Sequence, residues 1–370
     1  MKKVCTHCVM DNVGDPIIKF EPDGTCNYCN YALRRRHSCY FPNEEGQRHL
    51  NIMLGYLKKK GKNKKYDCIM GISGGLDSAY LAYLGATKWR LRILGIHIDD
   101  GFDSPVATKN IHNLCKNCGI DLEIITPNKE QYMNLTRSFF LAGLPGICIP
   151  QDNVLVAALF NTVEKYKIKC FLSGTNFALE SVLQRGNMHN ACDLVHIKAI
   201  QKQFGSASID DLPLLSLFER YVGYKYLKRQ KYIRPLDWIE YNRDKAIEEL
   251  KSVGFDYYES KHWESILTKF LQVYYLPKKF NLDIRKSHLS SLIVSGQMTR
   301  DEVLEDLKKP LYDENPMNKD IAFILDKLEM SKEVFDKIMN EPPKRHSDYK
   351  HSILIRFAGL ARRFRKVLCD

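Results

Sequence analysis

A glycine-rich turn between a predicted strand and a predicted helix constrains the fold of this chain more than any other feature. The turn reads Gly71-Ile72-Ser73-Gly74-Gly75-Leu76-Asp77-Ser78. Residues 65–72 have the apolar pattern of a short buried strand, and a helical pattern begins at Ser78. Adjacent glycines let the backbone approach an anion closely, and a helix start aims free N–H groups at it. The turn therefore predicts a phosphate site.

Three polar side chains of this turn suit a bound nucleotide. Ser73 and Ser78 add hydroxyl donors, and Asp77 offers a carboxylate suited to holding Mg²⁺ beside phosphates. The turn does not contain the Gly-Lys-Ser/Thr of the Walker loop, so the usual kinase and NTPase interpretation fails. The competing explanation is an ordinary tight connection between a strand and a helix.

The segment Ser-Gly-Gly-Leu-Asp-Ser resembles the signature of the PP-loop ATP pyrophosphatases. That group contains the asparagine, GMP and NAD synthetases and the tRNA thiolases. The resemblance implies ATP as the nucleotide, with attack at its α-phosphate to make an adenylylated substrate. It assigns the β,γ-pyrophosphate to four residues and Mg²⁺ to a fifth: Ser73, Gly74, Gly75 and Ser78, with Asp77 for the ion. Among these, Ser73 and Asp77 are candidate catalytic residues.

Strands that alternate with helices predict a parallel sheet covered on both faces. Beyond the first strand, the predicted strands cover residues 91–98, 120–125 and 168–173, and the intervening helical patterns cover 106–118 and 152–166. Ligands of such sheets bind beyond the carboxyl ends of the strands. Two more polar loops fall at that edge, and their candidate nucleotide-binding residues are His97, Asp99, Gly174, Thr175 and Asn176.

The PP-loop resemblance gives these two loops different roles. The loop with His97 and Asp99 resembles the adenosine-side segment, and the loop at 174–176 resembles a substrate-side or phosphate-side element. Taken singly, both loops also have the composition of ordinary turns. Gln151 and Asp152, which open a helix after a proline, are either a site pair or a helix cap.

The amino terminus contains two Cys-x-x-Cys knuckles. Cys5 and Cys8 form the first, Cys26 and Cys29 form the second, and seventeen residues separate them. Four thiolates suit a tetrahedral Zn²⁺ ion and leave no open position, so we expect a structural zinc site. Redox activity or an iron–sulfur cluster is the alternative, and His7 is a competing ligand. A third pair, Cys115 and Cys118, would line one helix face, which favours packing.

Length and composition indicate a protein of several units. The chain has 370 residues, 44% of them hydrophobic and 27% charged, enough for two or three structural units. We expect a zinc-binding module over 1–45, an α/β PP-loop domain over 46–240, and a helical carboxyl-terminal region over 241–370. The PP-loop resemblance implies the fold class, a parallel-sheet, adenine nucleotide alpha hydrolase-like α/β domain between these two parts.

The sequence indicates a cytoplasmic protein. The residues after Met1 are polar and include cysteine, unlike a signal peptide. No apolar run reaches the roughly 18 residues of a membrane span, so we expect no transmembrane segment. In the cytoplasm the twelve cysteines serve as metal ligands or free thiols rather than disulfides.

Half of the net charge of +12 lies in the last 27 residues. Residues 344–370 contain eight Lys or Arg residues and two Asp residues, interleaved with apolar side chains. Such a basic amphipathic tail suits RNA, an anionic membrane surface, an acidic protein, or packing as a terminal helix. In the helical region before it, Arg285, Lys286 and Arg300 are cations that could complete the pyrophosphate site, bind an acidic sugar, or form a solvated face. Lys286 is the third candidate catalytic residue.

A closer resemblance covers roughly residues 3–310. It is carried, in chain order, by CTHCVMDN…CNYC, SGGLDS, PQDN, SGTNFALES, KHWES, YYLPKKF and RKSHLSSLIVSGQMTR. These motifs resemble the N-acetyl sugar amidotransferase family, whose members convert an acetamido group on a nucleotide-linked or nonulosonic sugar to an acetamidino group. The products decorate lipopolysaccharide O-antigen or flagellin. The basic tail lies outside the resemblance.

The resemblance also implies a source of ammonia. A separate glutaminase with a cyclase-like subunit, akin to the histidine-pathway pair, is expected, because the chain has Lys at position 2 instead of the terminal cysteine nucleophile that glutaminase domains expose. A tRNA thiolase or related RNA-modifying enzyme is the alternative, which would use Cys115, Cys118 and Cys192 for sulfur or iron. A degenerate PP-loop scaffold is the third possibility. Nucleic acid is otherwise not an expected partner.

Overall fold

The computed structural model describes residues 2–258 and 263–355. Two compact units divide the chain. Unit 1 comprises Met1–Thr126, Asn161–Gly186 and Gln230–Ile324. Unit 2 comprises Pro127–Phe160, Asn187–Arg229 and Leu325–Asp370. The domain boundaries expected near residues 45 and 240 stay a prediction.

Unit 1 is built on a five-stranded parallel sheet in the order β3-β2-β1-β4-β5. The strands are β1 (Cys68–Gly71), β2 (Ile93–Ile98), β3 (Asp121–Ile125), β4 (Cys170–Leu172) and β5 (Lys231–Ile233). The first four confirm the predicted strands, each slightly shorter than expected. The strand β5 is not predicted from the sequence, because it has three residues, two of them exposed, and lacks the pattern of a buried strand.

Fifteen α-helices lie in the described residues, and within those residues no strand separates any of the helices after residue 240. They are α1 (Asn27–Cys39), α2 (Glu44–Gly61), α3 (Leu76–Tyr83), α4 (Pro105–Cys118), α5 (Lys129–Leu141), α6 (Ile149–Lys165), α7 (Phe177–Glu180), α8 (Leu194–Phe204), α9 (Arg243–Lys251), α10 (Ile266–Phe270), α11 (Leu276–Phe280), α12 (Arg285–Ser295), α13 (Arg300–Asp306), α14 (Glu314–Lys327) and α15 (Lys332–Asn340). The predicted helical carboxyl-terminal region is therefore confirmed as far as it is described.

Local sequence explains where α4 begins and ends. Ser104 caps the helix by accepting a hydrogen bond from the Ala107 N–H at 3.2 Å, and Pro105 follows as the first helical residue. Gly119 ends the helix in the left-handed conformation, which glycine adopts without a steric penalty. The predicted helix at 106–118 is confirmed, and α6 confirms the one at 152–166.

The core of unit 1 surrounds β1, whose Cys68, Ile69 and Met70 are fully buried. A strand buried on both faces is expected at the centre of a parallel sheet covered by helices. Cys115 of α4 packs into the same apolar core, with Cys118 at its edge. Burial raises the pKa of the Cys115 thiol to about 12. The packing interpretation of this cysteine pair is confirmed.

Unit 2 has its own apolar cluster and a group of histidines. Phe160 of α6 stacks on Tyr224 with their ring centroids 4.3 Å apart, inside a buried cluster that includes Cys192. Elsewhere in the unit, His196 of α8 and His346 share a hydrogen bond of 3.0 Å, and the His189 ring lies against both. These contacts join α8 to the chain after α15.

The predicted basic tail is described only in part. Lys344, Arg345 and Lys350 belong to the described residues, whereas 356–370, with five of the eight cations, lie outside them. Within the described residues, no helix combines the length and apolar character that a membrane crossing requires.

Candidate functional site

The glycine-rich turn joins β1 to α3 at the carboxyl edge of the sheet. Gly74 has a φ of +78°, and a Cβ atom there would lie 2.7 Å from the carbonyl oxygen of Ala107. Only glycine fits both the left-handed backbone and this close approach of α4. The turn is therefore held in its shape by the neighbouring helix as well as by its own sequence.

Hydroxyl groups close the turn internally. Oγ of Ser73 accepts a hydrogen bond from the Gly75 N–H at 3.2 Å and lies 3.2 Å from Oγ of Ser78. The Ser78 hydroxyl also donates to the Gly75 carbonyl at 3.1 Å. Gly75 caps α3 without a side chain, so the first turn of the helix presents backbone N–H groups next to these hydroxyls. This is the geometry of an anion site.

The loop after β4 lies directly against the start of α3. A Cβ atom on Gly174 would be 2.9 Å from both the carbonyl carbon of Asp77 and the nitrogen of Ser78. Backbone atoms cannot move aside as the end of a flexible side chain can, so this position needs glycine. The structure thus brings the predicted residues Gly174 and Asp77 into contact.

The two residues after Gly174 have separate surroundings. Thr175 accepts a hydrogen bond from the Ser173 hydroxyl at 3.0 Å, and the Tyr232 hydroxyl donates to Ser173 at 2.5 Å. Asn176 is fully buried, caps α7 through the Leu179 N–H, and donates to the Gly174 carbonyl at 3.0 Å. The Asn176 side chain thereby fixes the conformation of the loop, whereas the hydroxyl of Thr175 belongs to a partly exposed side chain.

Asp77 has a buried partner that the sequence analysis did not identify. The Tyr241 hydroxyl donates a hydrogen bond to Oδ1 of Asp77. Burial, together with the charges of Asp77 and Glu180, raises the pKa of Tyr241 well above its ordinary value. The tyrosine therefore stays protonated and acts as a donor. No local pattern around residue 241 signals this contact, because the two residues are far apart in the chain.

Glu264 is a second site residue that the sequence analysis missed. A Cβ atom on Gly75 would lie 2.7 Å from Oε1 of Glu264, and the other carboxylate oxygen accepts a hydrogen bond from Tyr258 at 3.0 Å. Burial and the charge of Glu264, with that of Asp77, raise the pKa of Tyr258 far above its ordinary value. Glu264 belongs to the KHWES motif, of which Lys261 and His262 lie outside the described residues.

His97 is buried at the end of β2. Its Nδ1 lies 3.0 Å from the Ile72 carbonyl oxygen and its Nε2 lies 2.8 Å from Oδ2 of Asp103. Burial alone would lower the pKa of His97, but the hydrogen bond to Asp103 and the Asp103 charge outweigh it, so the pKa is raised. A cleft of about 240 Å³ opens beside this pair. Among the residues that line it are His97, Asp99, Asp103, Thr108, His112 and Ile124.

The loop after β2 is also tied to the segment that carries Glu264. The Ser104 N–H donates to the Glu264 carbonyl at 2.8 Å, and the Ile266 N–H donates to the Phe102 carbonyl at 2.8 Å. Asp103 and Ser265 form an antiparallel bridge between these two bonds. The turn after β1 and the loop after β2 therefore meet a segment that comes from much later in the chain.

The four amino-terminal cysteines form a metal-binding cluster. All four side chains are fully buried, and their sulfur atoms lie within 4.8 Å of one another. Sulfur–sulfur distances are 4.0 Å for Cys5 and Cys29 and 3.8 Å for Cys8 and Cys26. Four sulfurs about 2.3 Å from one tetrahedral zinc ion lie about 3.8 Å apart, so the spacing fits such an ion. Among the described residues, these four cysteines are the group of Cys, His, Asp or Glu side chains whose ligand atoms are close enough together to share one metal ion.

Backbone N–H groups around this cluster are aimed at its sulfurs. The Cys26 N–H donates to Sγ of Cys5 at 3.2 Å, and the Met10 N–H donates to Sγ of Cys8 at 3.4 Å. Donors to sulfur stabilise thiolates, as a bound metal ion requires.

Two family models match separate parts of the chain. The model for NAD synthase matches residues 47–139, which contain β1, β2, β3 and the glycine-rich turn. The model described as LPS biosynthesis protein WbpG-like, C-terminal domain, matches residues 264–362. Together, the two matches support the resemblance to the N-acetyl sugar amidotransferases and to the PP-loop superfamily. The glycine-rich turn is accordingly the PP-loop of this chain.

Curated relatives match this chain over limited stretches. An uncharacterized protein of Methanocaldococcus jannaschii is 32% identical over 122 residues, which cover 33% of this chain and 42% of that protein. The glutamine-dependent NAD(+) synthetase of Aquifex aeolicus is 30% identical over 111 residues, which cover 29% of this chain and 18% of that protein. The chain therefore spans less than half the length of either relative.

Solved structures of similar proteins are distant. The NH3-dependent NAD synthetase of Campylobacter jejuni aligns with 58% of this chain and 99% of its own, at 15% identity and a TM-score of 0.29. The U34-tRNA thiolase of Methanococcus maripaludis, solved with its [4Fe-4S] cluster, aligns with 82% and 89%, at 16% identity and a TM-score of 0.32. We transfer no site residue from either structure.

The predicted catalytic cation Lys286 lies beside the cysteine cluster. Its Nζ forms an ion pair with the buried carboxylate of Asp11 at 2.7 Å. Arg300 donates to the carbonyl oxygens of Cys8 and Cys5 at 3.2 and 3.3 Å. Both cations therefore join the α12–α13 region to the amino-terminal module, and a catalytic role of Lys286 stays a prediction.

Proposed function

We propose that this chain is an ATP-dependent amidotransferase that converts the N-acetyl group of a sugar to an acetamidino group. One contact carries the proposal. Glu264, the first residue matched by the WbpG-like C-terminal domain, lies against Gly75 of the PP-loop. The region that resembles a lipopolysaccharide biosynthesis protein therefore begins beside the PP-loop, where a sugar held by that region would meet ATP.

The chemistry requires an activated amide. An amide carbonyl is a poor electrophile, and its oxygen is a poor leaving group. When the amide oxygen attacks the α-phosphate of ATP, the nitrogen loses its proton, pyrophosphate leaves, and an adenylylated imidate forms. Ammonia then adds to the imidate carbon, and AMP departs with the former amide oxygen. The product is an amidine, and no covalent bond to the protein is needed.

Residues of the PP-loop supply the contacts for the first step. Ser73, Ser78 and the first-turn N–H groups of α3 are suited to hold the leaving pyrophosphate. Asp77, with Glu180 and Glu264 nearby, offers carboxylate oxygens for Mg²⁺, which would neutralise the charge on the phosphates. Tyr241 keeps the Asp77 carboxylate in one orientation.

The other loops of the sheet edge would bind the rest of ATP and the acceptor. The cleft beside His97 and Asp99 has polar groups and an apolar wall, which suits an adenosine. Thr175, whose hydroxyl is held by Ser173, is suited to a phosphate or an acceptor group next to Asp77. Asn176 would act by keeping the Gly174–Thr175 backbone against α3.

The amino-terminal cysteine cluster is proposed to hold a structural Zn²⁺. The sulfur spacing and full burial suit four thiolate ligands with no open position. Lys286 and Arg300 contact the same module, so the ion would stabilise the region that carries the sugar-side helices.

A separate glutaminase, together with a cyclase-like subunit, is the proposed source of ammonia. The Gly-x-Ser-x-Gly pattern of a nucleophile elbow occurs only at Gly71–Gly75, where it is the PP-loop itself, so it does not indicate glutamine hydrolysis. The chain should use added ammonium directly and should make little product from glutamine until the partner is added. Robust use of glutamine by the purified chain would contradict the proposal that a separate partner supplies the ammonia.

The thiolase alternative needs reactive cysteines near ATP, and the surroundings of its candidate thiols do not favour it. Burial raises the pKa of Cys115 to about 12 and, with Asp152, that of Cys192 to about 11. Burial also raises the pKa of Cys118. Thiols kept protonated in this way are poor sulfur nucleophiles and poor iron ligands.

The decisive experiment incubates the protein with ATP, Mg²⁺, ammonium and a panel of nucleotide-activated diacetamido sugars. We expect AMP and pyrophosphate in equal amounts and a sugar lighter by about one mass unit, because O is replaced by NH. Asp77→Ala should abolish all three signals, whereas Asp23→Ala, on the exposed surface of the amino-terminal module, should leave them unchanged. Release of ADP and orthophosphate would refute the proposal.

A further inference from the structure

Unit 2 exposes a row of large apolar side chains that has no role in the proposed reaction. The row, here called the apolar stripe, consists of Phe218, Tyr221, Val222, Tyr226 and Leu227, on and just before the π-helical segment Glu219–Leu227. Leu227 is 72% exposed and Tyr226 is 62% exposed. A spacing of about four residues keeps these side chains on one side of the helix. The surface of a soluble protein seldom has so many large apolar side chains side by side.

The opposite side of this helix is fastened to the core of unit 2. Gly223 and Tyr224 are buried, and the Tyr224 ring stacks on Phe160 of α6. Tyr221 is further held by a hydrogen bond of 3.0 Å from Asn190 to its hydroxyl. The helix therefore cannot rotate to bury the apolar stripe, because packing on its opposite side fixes the outward orientation of these side chains.

Basic residues flank the apolar stripe. Residues 218–229 contain four cations, Arg220, Lys225, Lys228 and Arg229, against one acid, Glu219. The Glu219 carboxylate is engaged within the turn, where it accepts hydrogen bonds from the N–H and hydroxyl of Ser216 at 2.8 and 2.7 Å. Lys225, Lys228 and Arg229 are exposed. The surface is thus apolar along its middle and positive at its edge.

This composition distinguishes between classes of partner. Protein interfaces are depleted in lysine, and leucine and valine are uncommon among their energetic centres. Single-stranded RNA stacks on aromatic rings, which Val222 and Leu227 do not offer. A helix that lies in a bilayer interface combines aromatic and aliphatic side chains on one side with Lys and Arg around them. We propose that the apolar stripe and its flanking cations form a docking surface for an anionic lipid bilayer.

The charge of the flank matches this partner. Lysines and arginines near an anionic leaflet each strengthen binding by about fivefold, and the attraction falls with rising salt. Insertion of the apolar side chains adds a contribution that salt does not weaken. The contact would be peripheral and reversible.

Co-sedimentation with vesicles tests the proposal. The full chain should bind vesicles that contain phosphatidylglycerol, more weakly at high ionic strength, and should stay in the supernatant with phosphatidylcholine alone. Tyr226→Ser with Leu227→Ser should lower the partition coefficient by about tenfold or more. Lys228→Gln with Arg229→Gln should lower it by about fivefold per charge removed.

Two control variants match these changes in chemistry and exposure. Ile52→Ser removes an apolar side chain that is 70% exposed on α2, and Lys58→Gln with Lys59→Gln removes two exposed cations from the same helix. Both controls should bind vesicles as the unmodified protein does. Because every substituted residue is exposed, all variants should keep the melting temperature and the rate of AMP formation.

Three results would overturn the docking surface. One is full vesicle binding by both the Tyr226/Leu227 variant and the Lys228/Arg229 variant (together, the stripe variants), with loss of binding only after Arg362→Gln and Arg363→Gln in the basic tail. A second is binding of bulk tRNA, but not of vesicles, that disappears in the stripe variants. The third is stripe variants that keep vesicle binding and lose association with a glutaminase partner.

Discussion

The hydroxyl of Tyr241 donates a hydrogen bond to the carboxylate of Asp77 from within the core of unit 1. Only 1% of Tyr241 is exposed, and its ring stacks on Tyr80 of α3 with their centroids 5.5 Å apart. A donor fixed by packing holds the carboxylate in one orientation at the start of α3. The arrangement makes Tyr241 a positioning residue for the PP-loop.

Tyr241→Phe tests this relationship with little change in shape. A hydrogen bond to a charged group contributes about 1.5–3 kcal/mol, so the Asp77 carboxylate should bind Mg²⁺ about tenfold or more weakly without it. The measurement is AMP formation against Mg²⁺ concentration, where half-saturation should shift upward and recover in excess Mg²⁺. Tyr80→Phe is the control, because that hydroxyl contacts Glu249 at 3.4 Å instead of Asp77. Equal Mg²⁺ dependence in the two variants would contradict the positioning role.

Gly174→Ala tests the contact between the loop after β4 and the start of α3. The new methyl group would lie 2.9 Å from backbone atoms of Asp77 and Ser78, so the PP-loop must shift. We expect AMP formation to fall by about a hundredfold or more, because misplacement by about 1 Å has such an effect. Gly55→Ala, in the middle of α2 with nothing within 4 Å, should keep activity and stabilise the protein by about 0.5–1 kcal/mol. An active Gly174→Ala variant would show that the loop tolerates the shift.

The sequence predicted most of the sheet and part of the site, for identifiable reasons. The strands β1 to β4, the PP-loop and the four clustered cysteines carry local signals, namely apolar runs, adjacent glycines and fixed Cys spacing. Gly74 and Gly174 could be singled out as loop glycines, but their contacts with Ala107 and Asp77 come from other elements. Local sequence signals therefore locate the site, but they do not predict which residues of other elements line it.

The missed parts depend on contacts between distant segments. Tyr241 and Glu264 lie far along the chain from the PP-loop, and no spacing rule connects an isolated tyrosine or glutamate to it. The strand β5 is short and exposed, and it is defined by its pairing with β4. Lys286 could be recognised as a cation, but its partner Asp11 is near the amino terminus.

Cys26→Ser tests the proposed zinc site. Loss of one of four thiolates should reduce bound zinc from about one ion per chain to a small fraction of that, and the melting temperature should fall. Metal content by inductively coupled plasma mass spectrometry is the measurement. Cys118→Ser, which changes a partly buried thiol of α4, should keep the metal. If anaerobically purified protein contained iron and absorbed visible light, the cysteine cluster would hold an iron–sulfur cluster, which would contradict the zinc proposal.

The buried histidines of unit 2 should make that unit sensitive to acid. Burial and the charge of His189 lower the pKa of His196 to about 4, and burial lowers that of His346 to about 2. An unfolded histidine titrates near 6.5, so between about pH 6.5 and 4 the unfolded chain binds protons that the folded unit excludes. The stability of unit 2 should therefore be complete above about pH 6.5 and should decrease as the pH falls toward 4.

Hydrogen exchange of α8 peptides between about pH 7 and 5, corrected for the intrinsic rate, measures this loss because α8 carries His196. His346→Gln removes one of the buried rings, so it should exchange faster than the unmodified protein at neutral pH and lose less protection on acidification. His37→Gln, on the exposed side of α1, should keep the full pH dependence. If His346→Gln also retained that full dependence, groups other than this histidine would be responsible for the acid response, because linkage requires the titrating ring itself.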